Sequence, residues 1–465
     1  MLFSKKVFNH SLDDTKEEIF QAAEGFIHNA NSLQSRSGNQ LPFTSVNYGT
    51  CILEEGRMVT EALLQNSING NGKYHRTSIF PCGIFQYMKD VNDKPGTPNY
   101  DLYRLALQST SKRLYPNYVN VQWSGNKGFD INNPDEYAST MGCRTFIGYD
   151  INGLGYSKIG RGNAAPVTII LPTLAMEADR NVDKFFEILD KTIDEARDML
   201  LERYYWICSQ SPKSAQFMYE NGSIAGYKPE EGIQSAMQHM TLATGILGLS
   251  ETLILLIGKD QTTDEGMELA KKILQLLKDK ILKFKEQYKL NGSLYFTPAE
   301  NLAFTAMKKF QEKYGIIKDV SDKKFFTNSI HVPVYKQVSP FEKIDIESQL
   351  TGYSSAGCIT YVELNADVQK NIDALEELVN YAMDKDIPYF AINVPSDCCE
   401  DCGYQGYIEN NCPKCGSSNI ERLRRVTGYL TSDYKSTFNE GKVEEVEMRV
   451  KHTDNISLLK EEDEE

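Results

Sequence analysis

Apolar residues first fall into a regular pattern after Ser11. Ile19, Phe20, Ala23, Phe26, Ile27 and Ala30 recur at helical spacing behind a capping serine and predict a helix over 12–35. Met58–Ile68 repeats the pattern and runs into the Gly/Asn turn Asn69–Gly72; Tyr100–Tyr115 repeats it up to Pro116. Ile79–Tyr87 reads as a strand and Asp90–Asn99, with Lys94-Pro-Gly-Thr-Pro98, as a loop. Met141–Arg161 is glycine-rich without a period, so it is expected to be an extended loop. Val167–Leu171 is a continuous apolar run ended by Pro172, as in a buried strand. Long helices are then expected at Asp179–Ile207, Glu231–Ile257, Asp264–Tyr288 and Pro298–Tyr314. Strand Cys358–Leu364, helix Asn371–Asp384 and strand Tyr389–Val394 follow. Strands alternating with helices predict an α/β body with largely parallel strands.

Composition changes this picture little. A chain of 465 residues with 41% apolar and 25% charged residues is ordinary globular protein with room for a large core. The net charge of −14 argues against a nucleic-acid or anionic-membrane binder, because phosphate contacts need excess Lys and Arg. Part of that charge is the run Lys460–Glu465, expected to be a solvated tail. The first ten residues are too polar for a signal peptide, and no stretch approaches the ~18 apolar residues of a membrane span. The chain is therefore expected to be cytoplasmic, where its ten cysteines would serve as metal ligands, catalytic thiols or small core residues rather than disulfides.

The chemistry concentrates near the C-terminal end. Cys399-x2-Cys402 and Cys412-x2-Cys415 are two knuckles nine residues apart, each followed by glycine, a spacing that can place four thiolates around one zinc ion. Cys398 is a possible competitor, but the spacing to Cys402 favours Cys399. Ribbons of this kind often bind nucleic acid, yet its interior (Glu400, Asp401, Glu409, Asn410) is acidic. The clamp is followed at once by Arg425-Val-Thr-Gly-Tyr-Leu430, which suggests that Gly428 must be held in a fixed place. A glycine can be simply a turn; it can also carry a radical on its α-carbon, since without a side chain the centre lies planar between two amides. A nearby sulfur could then exchange a hydrogen atom with it. Cys143, in Met141-Gly-Cys-Arg-Thr145, is the first candidate: the flanking glycine could expose its thiol at a loop tip, and Arg144 could stabilise nearby anions. Cys82, in Phe80-Pro-Cys-Gly83, is the second; Cys51, Cys208 and Cys358 read as core or incidental.

In combination these segments resemble the anaerobic (class III) ribonucleoside-triphosphate reductases, a glycyl-radical family. The matching motifs run in family order: Ser45-Val-Asn-Tyr-Gly-Thr50 with Glu55-Gly-Arg57, Ile79-Phe-Pro81, Pro98-Asn-Tyr-Asp101 with Lys112–Pro116, then Met141–Thr145. Gly160-Arg-Gly-Asn163 with Val167–Pro172, Asn328–Pro333 and Ile359–Glu363 follow, then the cysteine ribbon, Arg425–Leu430, Phe438–Lys442 and Arg449–His452. The resemblance implies that Gly428 stores the radical, that Cys143 becomes the thiyl that takes the substrate's 3′-hydrogen, and that Cys399, Cys402, Cys412 and Cys415 bind Zn2+. It offers Asn163 and His331 as substrate-side contacts, His331 equally as a core histidine. A separate activase with S-adenosylmethionine and an iron–sulfur cluster would install the radical, and formate or a thiol system would supply electrons. Gly428→Ala is then expected to abolish the radical with little loss of fold, and Cys143→Ser to keep the radical but stop turnover.

The implied fold is a ten-stranded glycyl-radical-enzyme barrel over residues 1–395, a zinc ribbon over 396–420, a glycyl-radical segment over 421–455 and an acidic tail over 456–465. Only about forty residues precede the Ser45 motif, fewer than in the family, so the barrel is expected to be incomplete and no second active-site cysteine can be assigned. A separate N-terminal reductase fragment is therefore an expected partner, beside the ribonucleoside triphosphate, the activase and a second copy in a homodimer. The alternatives are a catalytically incompetent or split C-terminal part, and a ribbon protein without catalysis. A pyruvate formate-lyase relative would need an adjacent Cys-Cys pair in mid-chain, and the only such pair, Cys398-Cys399, lies in the ribbon.

Overall fold

In a computed structural model, residues 11–35, 38–364, 366–394 and 396–452 are described. The acidic tail expected over 456–465 lies outside them. The body is α/β, built on two sheets. The first contains β1 (Ser45–Tyr48), β2 (Cys82–Tyr87), β3 (Asn117–Asn120), β7 (Thr360–Glu363) and β8 (Tyr389–Asn393) in the order β1-β2-β3-β8-β7. The second contains β4 (Asn163–Ile170), β5 (Thr241–Leu247) and β6 (Asn291–Tyr295), parallel and in sequence order. All body pairings between named strands are parallel except β3–β8. Eight body strands are thus present among the described residues, against the ten of the expected barrel.

Each sheet is buried by amphipathic helices. Helices Val182–Cys208, Leu249–Ile257, Asp264–Tyr288 and Glu300–Tyr314 bury Phe185, Leu253, Ile273, Phe310 and their neighbours on the β4–β6 sheet. Helices Tyr100–Arg113 and Ile372–Asp384 bury Leu102, Leu107, Leu375 and Val379 on the other sheet. Helix Leu12–Ser32 starts with a capping box between Ser11 and Asp14. Among the described residues no helix is long and apolar enough to cross a membrane.

The helix expected over Glu231–Ile257 is not one element. A short turn at Gln234–Met237 is followed by fully buried β5, then Gly248 at φ +78°, then helix Leu249–Ile257. A short apolar run that is buried on both faces carries no period, so a central parallel strand cannot be told from a buried helix by spacing. β6, Asn291-Gly-Ser-Leu-Tyr295, has neither an apolar run nor an alternation to mark it, and β3 starts directly after Pro116. Pro172 does not merely end β4: it sits in the first turn of helix Leu171–Glu177, where its missing N–H costs nothing. Pro166 is accommodated because β4 is an edge strand.

The two sheets are joined by Ser354–Gly357, just before β7. The amides of Ser355 and Ala356 donate to the Leu294 carbonyl of β6, each at 3.0 Å, and Phe296 N donates to Gly357 O at 3.1 Å. The same segment holds the 141–146 loop, because Phe146 N donates to Ala356 O at 2.9 Å. Gly357 has φ +129°, and a Cβ there would lie 2.0 Å from the Arg144 carbonyl oxygen. Only glycine lets the loop approach the seam so closely.

A third, antiparallel sheet has the order β10-β9-β11-β12: β9 is Ser396–Cys399, β10 Gln405–Gly406, β11 Ile420–Val426 and β12 Tyr429–Thr431. The ribbon and the glycine segment, read separately in the sequence, therefore share β11. Packing in the middle of β5 offers a check of the body architecture. A Cβ at Gly245 would meet Thr297 Oγ1 at 1.8 Å and Thr168 Oγ1 at 2.8 Å. Gly245→Ala should therefore cost about 1–3 kcal/mol, read as a lower urea midpoint; an unchanged midpoint would contradict the β4–β6 packing.

Candidate active site and metal centre

Gly428 lies at the tip of a two-residue hairpin. Val426 of β11 pairs with Tyr429 of β12, leaving Thr427 and Gly428 to turn at φ +53° and +109°. Positive φ at both positions is what such a turn requires, and a β-branched threonine adopts it only under strain. The Thr427 hydroxyl donates to Val426 O at 2.8 Å. The tip is buried and lies against the 141–146 loop: a Cβ on Gly428 would be 2.7 Å from both Cα and the carbonyl oxygen of Cys143. The two candidate radical residues are thus in backbone contact, although 285 positions separate them in the chain (428 minus 143).

Arg425 fixes this tip. Its Nε donates to Asn393 Oδ1 of β8 at 2.8 Å, Nη1 to Gly428 O at 3.2 Å and Nη2 to Leu114 O at 2.6 Å. Its guanidinium also stacks over Tyr115, 4.9 Å from the ring centroid. One side chain thereby ties the hairpin to β8 and to the end of helix Tyr100–Arg113.

Cys143 is half-buried, and its thiol lies 3.6 Å from Thr145 Oγ1, which is 3.1 Å from the Tyr295 hydroxyl. The phenols of Tyr295 and Tyr429 are both held above their ordinary range, first by burial and then by the neighbouring Cys143 sulfur. Both are therefore neutral at physiological pH, and Cys143 sits among hydroxyls rather than beside a base. Such surroundings suit a thiol that moves a hydrogen atom better than one activated as a thiolate nucleophile.

Cys82 opens β2 directly beneath this loop: a Cβ on Gly142 would meet its sulfur at 2.6 Å. Its thiol faces the Tyr115 hydroxyl at 3.1 Å, and burial pushes it up to about 11. Cys358 is buried in the core and is pushed up by the same cause, whereas Cys51 is exposed.

Asn163 and His331, the two residues offered as substrate-side contacts, are placed differently. Asn163 opens β4 opposite Thr241, with a side-chain oxygen that lacks a partner; among the described residues no hydrogen bond joins it to the Cys143 or Gly428 loops. His331 reaches the site only through Arg144. Its Nε2 lies 3.4 Å from Arg144 Nη1, a donor, so Nε2 accepts and Nδ1–H donates to Glu347 Oε2 at 3.3 Å. Burial further lowers its affinity for a proton, leaving a neutral histidine.

Gly428, Cys143 and Cys82, singled out in the sequence, are brought together here. Sequence reasoning missed Arg425, Tyr295, Tyr389 and Tyr429. Only the placement of Arg425 and Tyr429 beside Gly428 in the sequence signalled their role. Tyr389 donates to the Gly142 carbonyl at 3.2 Å from a strand far along the chain.

The four ribbon sulfurs lie within 4.8 Å of one another, Cys399–Cys415 at 3.6 Å and Cys402–Cys412 at 3.5 Å. Gly403 N donates to Cys399 O at 2.9 Å and Gly416 N to Cys412 O at 2.8 Å, closing both knuckles. This set could hold a tetrahedral metal ion. Cys398 is outside it, on the face toward Arg76 and Glu421. Ile420 of β11 pairs with Cys399, so the clamp continues by backbone hydrogen bonds into the strand that carries Gly428. Arg113 and the backbone carbonyls of Tyr74 and His75 hold Gln405 and dock the ribbon on the body.

The family model for anaerobic ribonucleoside-triphosphate reductase matches residues 3–452. The anaerobic ribonucleoside-triphosphate reductases of Haemophilus influenzae and Escherichia coli are 33% and 32% identical to this chain over 451 and 455 residues. The matches cover 94% and 95% of this chain but 62% and 63% of those proteins, so the chain spans less than two thirds of their length. A solved anaerobic ribonucleotide reductase superposes with a TM-score of 0.73 at 18% identity, covering 96% of this chain and 70% of that one.

The geometry corrects one sequence expectation. Gly428→Ala is not a silent change, because the added methyl would strike the Cys143 backbone and the residue would keep a φ that L side chains rarely adopt. It should displace the hairpin at a cost of at least about 1–2 kcal/mol, seen as faster hydrogen exchange at 426–430. Unchanged exchange there would contradict the close contact.

Proposed function

The chain belongs to the anaerobic ribonucleoside-triphosphate reductase family, and on that premise we propose that it reduces ribonucleoside triphosphates to 2′-deoxyribonucleoside triphosphates by glycyl and thiyl radical chemistry. The observation that carries this reading is the backbone contact between Cys143 and Gly428 at a buried hairpin tip. A radical-S-adenosylmethionine activase removes one α-hydrogen atom from Gly428. The glycyl radical then takes the hydrogen atom of the Cys143 thiol. The resulting thiyl takes the 3′-hydrogen atom of the substrate, and the 2′-hydroxyl leaves as water after gaining a proton. A reductant, formate or a thiol system, supplies two electrons. Cys143 returns the 3′-hydrogen atom, and Gly428 recovers its radical. In sum, the triphosphate gains two electrons and two protons and releases one water.

The protein's part is to keep the two radical positions adjacent and dry. Arg425 fixes the hairpin, Gly357 admits the cysteine loop, and neutral tyrosines surround the sulfur. Cys399, Cys402, Cys412 and Cys415 would hold Zn2+ as a structural ion, whose thiolate bonds stiffen the base of β11. In this reading β4–β8 form one five-stranded half of a ten-stranded barrel, and β1–β3 contribute three strands to the other. The body, ribbon and glycyl segment act as one cytoplasmic catalytic unit. A second copy of the chain and a reductase fragment supplying further barrel strands are its partners. Asn163 and His331 are the substrate-side contacts of this reading.

Activated anaerobically with S-adenosylmethionine, reductant and a family activase, the chain should form deoxyribonucleotide when assayed with the portion of a family reductase that it does not span. Cys143→Ser should keep the glycyl electron paramagnetic resonance doublet and lose at least about 10³-fold in turnover; a Cys143→Ser protein that still reduced nucleotides would refute the thiyl role. Chelation of the metal should raise hydrogen exchange over 396–426 ahead of the body, and uniform exchange before and after would contradict a structural zinc.

A further inference from the structure

Behind the Cys143–Gly428 contact lies a cavity of about 50 Å³ between the glycine segment and the body. Arg144, Arg425, Arg449, Lys343, Glu363 and Glu445 line it, with His331, His452 and Val334. Two features set it apart from an ordinary ion-pair network.

The first is that two buried guanidiniums have no carboxylate. Arg144 is 1% exposed and donates only to neutral groups: the Phe296 carbonyl at 3.3 Å, His331 at 3.4 Å and the Tyr361 hydroxyl at 3.2 Å. Its Nε–H, and that of Arg449, has no acceptor. Arg425 is 2% exposed and bonds only to an amide side chain and two carbonyls. Among the described residues neither Arg144 nor Arg425 forms an ion pair.

The second is that the surroundings do not neutralise them. Lys343 is matched by Glu347 at 2.6 Å; Lys442 pairs with Glu445; Arg449 reaches Glu363 and Glu445 only at 3.5 Å. Arg144, Lys343, Arg425, Lys442 and Arg449 thus face Glu347, Glu363 and Glu445, five cations against three carboxylates. The histidines add no charge: His331 is neutral as argued above, and burial pulls His452 far down while its Nδ1 accepts from Glu363 N at 2.9 Å. A buried charge without a counter-charge is among the costliest features a fold can carry.

We propose that this cavity binds one small monovalent anion, a planar carboxylate or oxyanion the size of formate or nitrate, held by Arg144 with Arg425 and Arg449. Planar acceptors match the guanidinium fork. The volume suits an ion of a few atoms, since a single water needs roughly 10–15 Å³ by this measure, and it excludes a nucleotide. The bound anion neutralises the positive wall behind the hairpin and so fastens the glycine segment to the body. The site is independent of the radical reading and is measured on the unactivated chain.

The test is a titration of the metal-loaded, unactivated chain with nitrate and with formate at constant ionic strength, chloride replacing the anion. Thermal unfolding and the line width of 13C-formate are the readouts. Saturable binding at millimolar concentration, with a rise in Tm that chloride does not reproduce, is the expected result. Arg144→Gln should weaken it at least about tenfold. Val334→Asp places a carboxylate in the cavity wall and should remove the anion dependence, whereas Val334→Asn should keep it; this pair separates charge from packing. If nitrate and formate act no differently from chloride, or if Val334→Asp and Val334→Asn respond alike, the site does not exist. A response to nitrate, with or without formate, supports the site; a response to formate alone would report binding as the reductant named above and would overturn it.

Discussion

Everything in the C-terminal part of this protein depends on one close approach: the Gly428 backbone against the Cys143 backbone, too near for a Cβ to fit between them. Close packing of two loop tips is unfavourable by default, since it buries peptide groups and orders two segments at once. The structure meets the cost from both sides. The cysteine loop is pinned at Phe146 to the seam between the sheets, and Gly357 opens the space it needs. The glycine tip is a two-residue hairpin, the tightest connection available, and Arg425 ties its carbonyl to β8 and to Leu114. Neither loop could be lengthened without losing the contact.

The four-cysteine cluster belongs to the same constraint. A four-cysteine cluster some distance from the chemistry would be ornamental if it only closed its own knuckles. Here Cys399 is in register with Ile420, and the strand that starts there ends at Val426 beside the glycine. Stiffness at one end of β11 is transmitted along backbone hydrogen bonds to its other end. On its other side the hairpin packs Val426 against Tyr434 and Val446 and faces the uncompensated arginines.

Much of this was legible in the sequence, for reasons that can be stated residue by residue. The cysteine spacing implied the four-cysteine cluster because a knuckle is a local structure, and the glycines after Cys402 and Cys415 are part of it. The glycine run and lack of period at 141–161 correctly implied a loop. Local signals failed where burial is complete on both faces: Thr241–Leu247 reads as helix or strand with equal ease, and only its pairing with β4 and β6 decides. They failed again where the site draws on distant residues. Tyr295, Tyr389 and Arg425 come from three regions of the chain, and His331 meets the cysteine loop only through Arg144. The consequences of Gly428→Ala could not be foreseen either, because room for a methyl group is a tertiary property.

The central claim is that Gly428 carries the radical and that Cys143 lies in contact with it. It is tested most directly by letting air into the activated protein and weighing the fragments. Oxygen adds to a glycine α-carbon radical and breaks the chain there, so the position of the radical is recorded in covalent structure without any substitution. The account predicts one cut, at Gly428, in proportion to the doublet lost from the electron paramagnetic resonance spectrum. A doublet that disappears with the chain intact, or a cut at any other glycine, would contradict it.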